Sequence, residues 1–163
     1  KLEIFSEKVE VNSIIEESLQ LVQGHAESKD ITLSVSEKYE TYVYADKKRL
    51  KQVLINLLSN ALKYNYNGGS VTVDTRSGEE SLRIRVADTG PGVPTDRLHE
   101  IFEPFNRLEA EASVTEGTGL GLNICKNLME LMNGTIGLEK STDSGSVFFI
   151  DIPLFGGENE KSW

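Results

Sequence analysis

The sequence predicts an α+β fold, a sandwich with helices layered on one face of a sheet. Three observations carry that expectation. Three long stretches repeat their apolar residues with helical period, several shorter runs alternate with period two, and the two kinds do not follow one another as regular strand–helix–strand crossovers. At 163 residues, 38% hydrophobic and 26% charged, the chain fits one domain of ordinary size with room for a sizeable core.

Taken in order, Ser13 and Glu16 have capping-box spacing and Ile15, Leu19, Val22 and Ala26 share one face, which predicts a helix over 13–27. Ile31, Leu33 and Val35 alternate with polar residues, and Tyr42-Val43-Tyr44 follows as a second half-buried strand. Asp46 caps a helix over 47–64, whose stripe is Leu50, Val53, Leu54, Leu57 and Ala61 and whose end lies at Asn65-Tyr66-Asn67-Gly68-Gly69. Val71 and Val73, then Leu82, Ile84 and Val86, form an antiparallel hairpin turning at Ser77-Gly78-Glu79. Thr95-Asp96 caps a short helix through Ile101, and 109–116 reads as loop. A third long helix covers 120–132, with Ile124, Leu128 and Leu131 on one side and Gly134 as its stop. The runs 135–140 and 146–152 pair around Asp143-Ser144-Gly145, and after Pro153 the segment 156–161 has the composition of a linker.

Composition narrows the function. A net charge of -9 opposes a nucleic-acid binder, which neutralises phosphates with lysine and arginine. No run approaches the ~18 apolar residues of a membrane span, so this segment is not expected to insert into a membrane directly, and Lys1-Leu2-Glu3-Ile4-Phe5 is no signal-peptide core. Cys125 is the only cysteine, so the chain has neither an internal disulfide nor a thiolate zinc site. Its place within a helix predicts a buried small hydrophobe.

Three motifs carry chemistry. Asn56, Asn60 and Lys63 project from one face of the second helix, about 100° from its apolar stripe. Neutral amide oxygens suit magnesium and Lys63 suits a phosphate, although the triplet by itself also describes a solvated helix face. Asp88 ends a strand and enters Thr89-Gly90-Pro91-Gly92. A carboxylate only accepts hydrogen bonds, which matches the exocyclic amine of adenine and opposes the carbonyl of guanine; Asp-Thr-Gly alone is equally ordinary turn chemistry. Gly117-Thr118-Gly119-Leu120-Gly121 opens the third helix, where free amides and the helix dipole hold phosphates. It has neither Walker nor Rossmann spacing, and taken alone it is also an ordinary glycine-rich start to a helix.

In order and separation these motifs resemble the catalytic and ATP-binding domain of sensor histidine kinases, in the superfamily that includes DNA gyrase and mismatch-repair ATPases. The match spans roughly Val9 to Leu154. Asp46, Arg49-Leu50, Gln52-Val53 and the stretch from Asn56 to Tyr64 resemble its N box; Asp88-Thr89-Gly90-Pro91-Gly92-Val93 its G1 box; Ile101-Phe102-Glu103-Pro104-Phe105 its F box; Gly117 to Leu122 its G2 box. Gly145-Ser146-Val147-Phe148 resembles the final box, with serine where the family usually has threonine. The resemblance implies the Bergerat fold, a two-layer α/β sandwich whose mixed, mostly antiparallel sheet is covered by three helices. It further implies ATP as substrate with Mg2+, Asn60 as the metal ligand, Asn56 assisting at metal or phosphates, and Lys63 and Arg107 on phosphate, these last three forming the catalytic set. Tyr64 flanks the adenine, Asp88 reads its amine and Ser146 supports Asp88. Gly90, Gly92, Val93 and Phe105 belong to the ATP site, as do Gly117, Thr118, Gly119, Leu120, Gly121 and Leu122.

The superfamily's hydrolases usually carry a glutamate base where this chain has Asn56, and an amide cannot take that proton. Asn56 therefore favours phosphoryl transfer to a protein histidine over a gyrase-like ATPase clamp or an anti-sigma serine kinase. A nucleotide-binding module that signals without transfer is the alternative from another class. Neither His25 nor His99 has the surroundings of the family's acceptor, so the expected partners are a separate dimerisation and histidine phosphotransfer domain of the same protein, and a response-regulator receiver domain. The expected organisation is residues 1–9 as the end of the preceding dimerisation hairpin or linker, 10–155 as the catalytic domain and 156–163 as tail, in a cytoplasmic domain of a homodimeric protein that is membrane-anchored or soluble. The run from Pro104 to Glu109 resembles hybrid kinases with a receiver after Trp163.

Overall fold

A computed structural model describes residues 3–36, 40–103 and 121–156, and among these described residues seven strands and three long helices build the fold. Strand β1 (Glu7–Glu10) leads directly into helix α1 (Val11–Ser28); β2 (Thr32–Val35) and β3 (Tyr42–Ala45) precede α2 (Lys47–Lys63); the β4 (Ser70–Ser77) and β5 (Ser81–Asp88) hairpin follows; α3 (Leu122–Leu131) then leads to the β6 (Thr135–Thr142) and β7 (Gly145–Pro153) hairpin. The main sheet has the order β2-β4-β5-β7-β6. Only the β2–β4 pair is parallel, so the sheet is mixed and mostly antiparallel, as expected. β1 and β3 form a separate antiparallel pair, joined to the end of β7 by a bridge between Val43 and Leu154.

Alternation places Leu82, Ile84 and Val86 on the buried face of β5, with Val71 and Val73 on β4 and Ile150 and Ile152 on β7 beside them. The helices lie against that face. Each fully buried aliphatic side chain contributes about 1.5–3 kcal/mol, and α2 supplies most of them: Leu58 and Leu62 are buried in addition to its expected stripe, because α2 is flanked by α1 and α3. The opposite face of the sheet is held by charge. Arg83 forms a two-pronged pair with Asp151 and lies over the Phe149 ring, while Glu139, the extra residue of a bulge in β6, accepts from both Arg83 and Arg85. The Arg85 guanidinium holds the Glu139 carboxyl below its ordinary value.

Helix ends depart from the sequence reading. α1 starts two residues before Ser13: the Glu10 carboxylate caps it, accepting from Asn12 N at 2.6 Å, and the Ser13 hydroxyl donates back to Glu10 from inside the first turn. The strand pairing of Glu7–Glu10 fixes that earlier start. α1 and α3 stop through left-handed residues that are not glycine, Asp30 (φ 55°) and Asn133 (φ 61°). In each case the following amide reaches back into the last turn, Ile31 N to Ala26 O at 2.9 Å and Gly134 N to Met129 O at 2.8 Å. The inward side of α3 is Cys125, Leu128, Met129 and Met132, and Leu131 faces solvent, a rotation of the expected stripe. After Pro94 the chain makes only a single 3-10 turn, Thr95–Arg97, without a side-chain cap, and continues as successive turns in place of the expected short helix.

Candidate functional site: a polar rim at the ends of α2 and β5

Asp46 starts α2 by accepting from Arg49 N at 3.2 Å, and its other oxygen accepts from Phe5 N at 2.9 Å. The register this sets puts Asn56, Asn60 and Lys63 in one row, with steps of about 6 Å and about 4.5 Å along the axis. Asn56 is not on a solvated face. It is 2% exposed, at the seam with α3, where its Nδ2 donates to the Cys125 sulfur at 3.3 Å. Cys125 is fully buried, and burial pushes its thiol up to about 12, so sulfur meets the amide as a neutral thiol. Asn60 and Lys63 are half-buried. Burial lowers the Lys63 ammonium from its ordinary value, a cost that a nearby anion offsets.

The last residue of β5 is Asp88, whose Oδ1 accepts from Gly90 N at 2.9 Å and Ser146 N at 3.3 Å. Burial raises its carboxyl above the ordinary aspartate value, against the opposing effect of those two amides. Both bonds fall on one oxygen, so among the described residues Oδ2 carries no partner. The pairing of Asp88 with Ser146 in the β5–β7 ladder is what brings the final box onto this carboxylate. Ser146 is buried, and its hydroxyl lies 3.5 Å from the Ser141 hydroxyl, which accepts from Val93 N at 2.7 Å. Ser141 thereby ties the segment after the glycine turn to β6.

Two glycines are required by close approach. A Cβ on Gly90 would lie 2.5 Å from the Tyr64 carbonyl oxygen, so the turn after β5 sits directly against the C-terminal end of α2. Gly92 has φ +80°, and a Cβ there would lie 2.2 Å from the Thr142 carbonyl oxygen. Tyr64, Asp88, Gly90 and Ser146 thus converge on one rim, with Gly92 and Val93 on its β6 side. Gly121 caps α3 with its carbonyl, accepting from Ile124 N and Cys125 N, and Leu122 is the first helical residue. Phe105, Arg107, Gly117, Thr118, Gly119 and Leu120 lie outside the described residues, as does the expected loop at 109–116.

Three polar residues that motif reading did not single out hold the rim together. Asn65, 7% exposed, accepts from Tyr66 N at 2.8 Å and donates to Ser70 O at 3.0 Å. The Thr89 hydroxyl donates to Asn65 Oδ1 at 3.3 Å and accepts from Ser70 N at 2.9 Å. Lys29, at the end of α1, reaches the last carbonyls of α2. In the sequence this web shows only as the asparagine at the end of the second helix and the threonine of the Asp-Thr-Gly stretch.

Residues 45–156 match the family described as Histidine kinase-, DNA gyrase B-, and HSP90-like ATPase. The chain belongs to that family. Within it, the similarity runs to histidine kinases. The chain is 35% identical to the sensor histidine kinase ZraS of Klebsiella oxytoca over 95% of its own length and 33% of that protein's; in general it spans about a third of the length of such curated relatives. The catalytic domain of histidine kinase ThkA superposes with a TM-score of 0.76 at 28% identity, covering 93% of this chain and 96% of that one. A structure of ThkA in complex with response regulator protein TrrA matches equally, with a TM-score of 0.76 and 28% identity over 92% of this chain and 42% of that one. This is a catalytic, ATP-binding domain of the sensor histidine kinase type, with the fold that the resemblance implied. No helix among the described residues is long and apolar enough to cross a membrane.

Proposed function

We propose that the rim of Tyr64, Asp88, Gly90 and Ser146 holds the adenine of ATP, and that the row Asn56, Asn60 and Lys63 faces its phosphates during transfer to a histidine. The observation that carries this reading is Asp88. Two backbone amides hold one of its oxygens, which leaves the other to accept from an exocyclic amine at the sheet edge. Gly92, Val93, Gly121 and Leu122 border the same site, and the family resemblance assigns Phe105, Arg107 and the run Gly117-Thr118-Gly119-Leu120 to ATP binding as well.

The donors available for a cation are neutral amide oxygens beside the place of the phosphates, a set that fits magnesium, which keeps several waters and takes few protein ligands. Asn60 would hold it, with Asn56 assisting, and the ion would neutralise charge on the phosphates. Phosphoryl transfer asks mainly for positioning and charge neutralisation. Lys63 and Arg107 supply the second, and an anion beside Lys63 offsets the cost of its burial. Asn56 offers no proton acceptor, which supports transfer over water activation.

His25 and His99 are both exposed and far from acceptor-like sequence, which supports an acceptor on a separate dimerisation domain of a homodimeric, cytoplasmically facing protein. In this organisation residues 1–9 arrive from that domain, 10–155 carry catalysis and 156–163 lead away. A response-regulator receiver domain is the next partner; the similar histidine kinase ThkA has a structure in complex with response regulator protein TrrA. The test is to supply a separate acceptor domain with labelled ATP. Magnesium-dependent label on its histidine is the expected result; tight ATP binding without transfer supports the signalling module instead, and phosphate release to water supports the ATPase clamp.

A further inference from the structure

The last carbonyls of a helix have no intrahelical donors, and the three long helices meet this need differently. α1 and α3 close on their own backbone through Asp30 and Asn133. α2 has backbone closures too, Tyr64 N to Asn60 O at 3.0 Å and a longer Asn65 N to Leu62 O at 3.4 Å, but it is also closed from outside: the Lys29 ammonium donates to Leu62 O at 2.7 Å, Lys63 O at 3.1 Å and Asn65 O at 3.1 Å. An ammonium has three donors, and all three are used on backbone carbonyls, at the negative end of the α2 dipole where a cation is favoured. The Lys29 carbonyl also accepts from Gly68 N at 3.0 Å, so one residue grips the chain on both sides of Asn65.

We infer that Lys29 is a positioning residue for base recognition, an inference that rests on the rim being the adenine end of the site. Its side chain sets where α2 stops, and the stop is what Gly90 touches: the Tyr64 carbonyl lies where a Gly90 side chain would be. The connection continues through Asn65 Oδ1 to the Thr89 hydroxyl, and from Gly90 N to Asp88 Oδ1. Lys29 thus governs the separation between Tyr64 and Asp88 without reaching the base. A lysine that served only to stabilise the end of a helix would change folding stability and leave selectivity for the base alone.

The experiment compares wild type, Lys29→Met, which keeps most of the aliphatic stem, and Lys29→Arg, which keeps charge and several donors. ADP and GDP binding is measured by calorimetry and amide exchange is measured on the nucleotide-free protein. Lys29→Met weakens ADP binding about tenfold and narrows the preference for ADP over GDP. Amide exchange rises at Asn65, Tyr66, Thr89 and Gly90 and stays unchanged in the β6–β7 hairpin. Lys29→Arg recovers ADP affinity to within about threefold of wild type. Wild-type ADP affinity and selectivity in Lys29→Met overturns the inference, as does a rise in exchange spread evenly over the domain. Failure of the wild type itself to prefer ADP overturns the reading of the rim, a result the first column of the same experiment shows separately.

Discussion

The two polar stretches of α2 are built in opposite ways. At its C-terminal end, Asn65, Thr89 and Lys29 fasten the helix to the sheet edge through bonds that mostly end on backbone atoms. In its middle, Asn56 sits in the seam between two helices and donates to a thiol, a weak acceptor. The rim proposed to hold the base is therefore a property of α2 and the sheet, whereas the placement of Asn56 depends on how α3 lies against α2. Substitutions at the two places should separate recognition of the base from handling of the phosphates.

The largest expected effect is at the sheet edge. Asp88→Asn turns an acceptor into a donor toward the adenine amine and lowers ATP affinity by on the order of ten-thousand-fold in calorimetry; a loss of only a few-fold removes Asp88 from base reading. The fold does not suffer with it. Burial raises the Asp88 carboxyl in the folded state, so as pH climbs through the carboxylate range the unfolded chain gives up its proton first and stability falls. Asn has no such ionisation, and the melting temperature of Asp88→Asn at neutral pH is expected at or above wild type.

Next comes Asn65→Ala, which removes the acceptor of the Tyr66 amide and one of the donors to the Ser70 carbonyl, still held by Thr89 N at 3.2 Å, and costs about 1–3 kcal/mol in urea unfolding, with ADP and ATP binding weakened alike. Cys125→Ala acts on the seam. It costs about 1–2 kcal/mol and reduces the ratio of ATP to ADP affinity about threefold while adenosine binding stays constant; equal losses for all three ligands would erase the distinction between the two stretches. The smallest effect is in pH. ATP affinity declines on acidification as Asp88 takes up its proton, beginning above the ordinary aspartate range, and the Asp88→Asn variant lacks that decline.

Periodicity read the fold well because burial on one side leaves its mark locally. The stripe of Leu50, Val53, Leu54 and Leu57 and the alternation of Leu82, Ile84 and Val86 each need only neighbours within a few residues. Features that depend on distant partners left no such mark. The four-residue β1 pairs with a strand more than 30 residues away, and the three carbonyls under Lys29 lie 33–36 residues on. Arg83 and Arg85 were visible as the polar half of an alternating strand, but their carboxylate partners across the sheet were not. The candidate site was legible to the extent that its proposed residues fall in short boxes: Asp88 with Gly90, and Asn56 with Asn60 and Lys63. The burial of Asn56 was not, because the residue that buries it, Cys125, is 69 positions away.

The thiol beside Asn56 also has a practical consequence. It is the chain's only cysteine and it lies fully buried, with its proton held to about pH 12. Maleimides and other thiolate-seeking reagents will find no target in the native protein at neutral pH. A single cysteine introduced on the surface would accept a fluorophore or spin label selectively, giving a spectroscopic reporter of nucleotide binding with the natural core left intact.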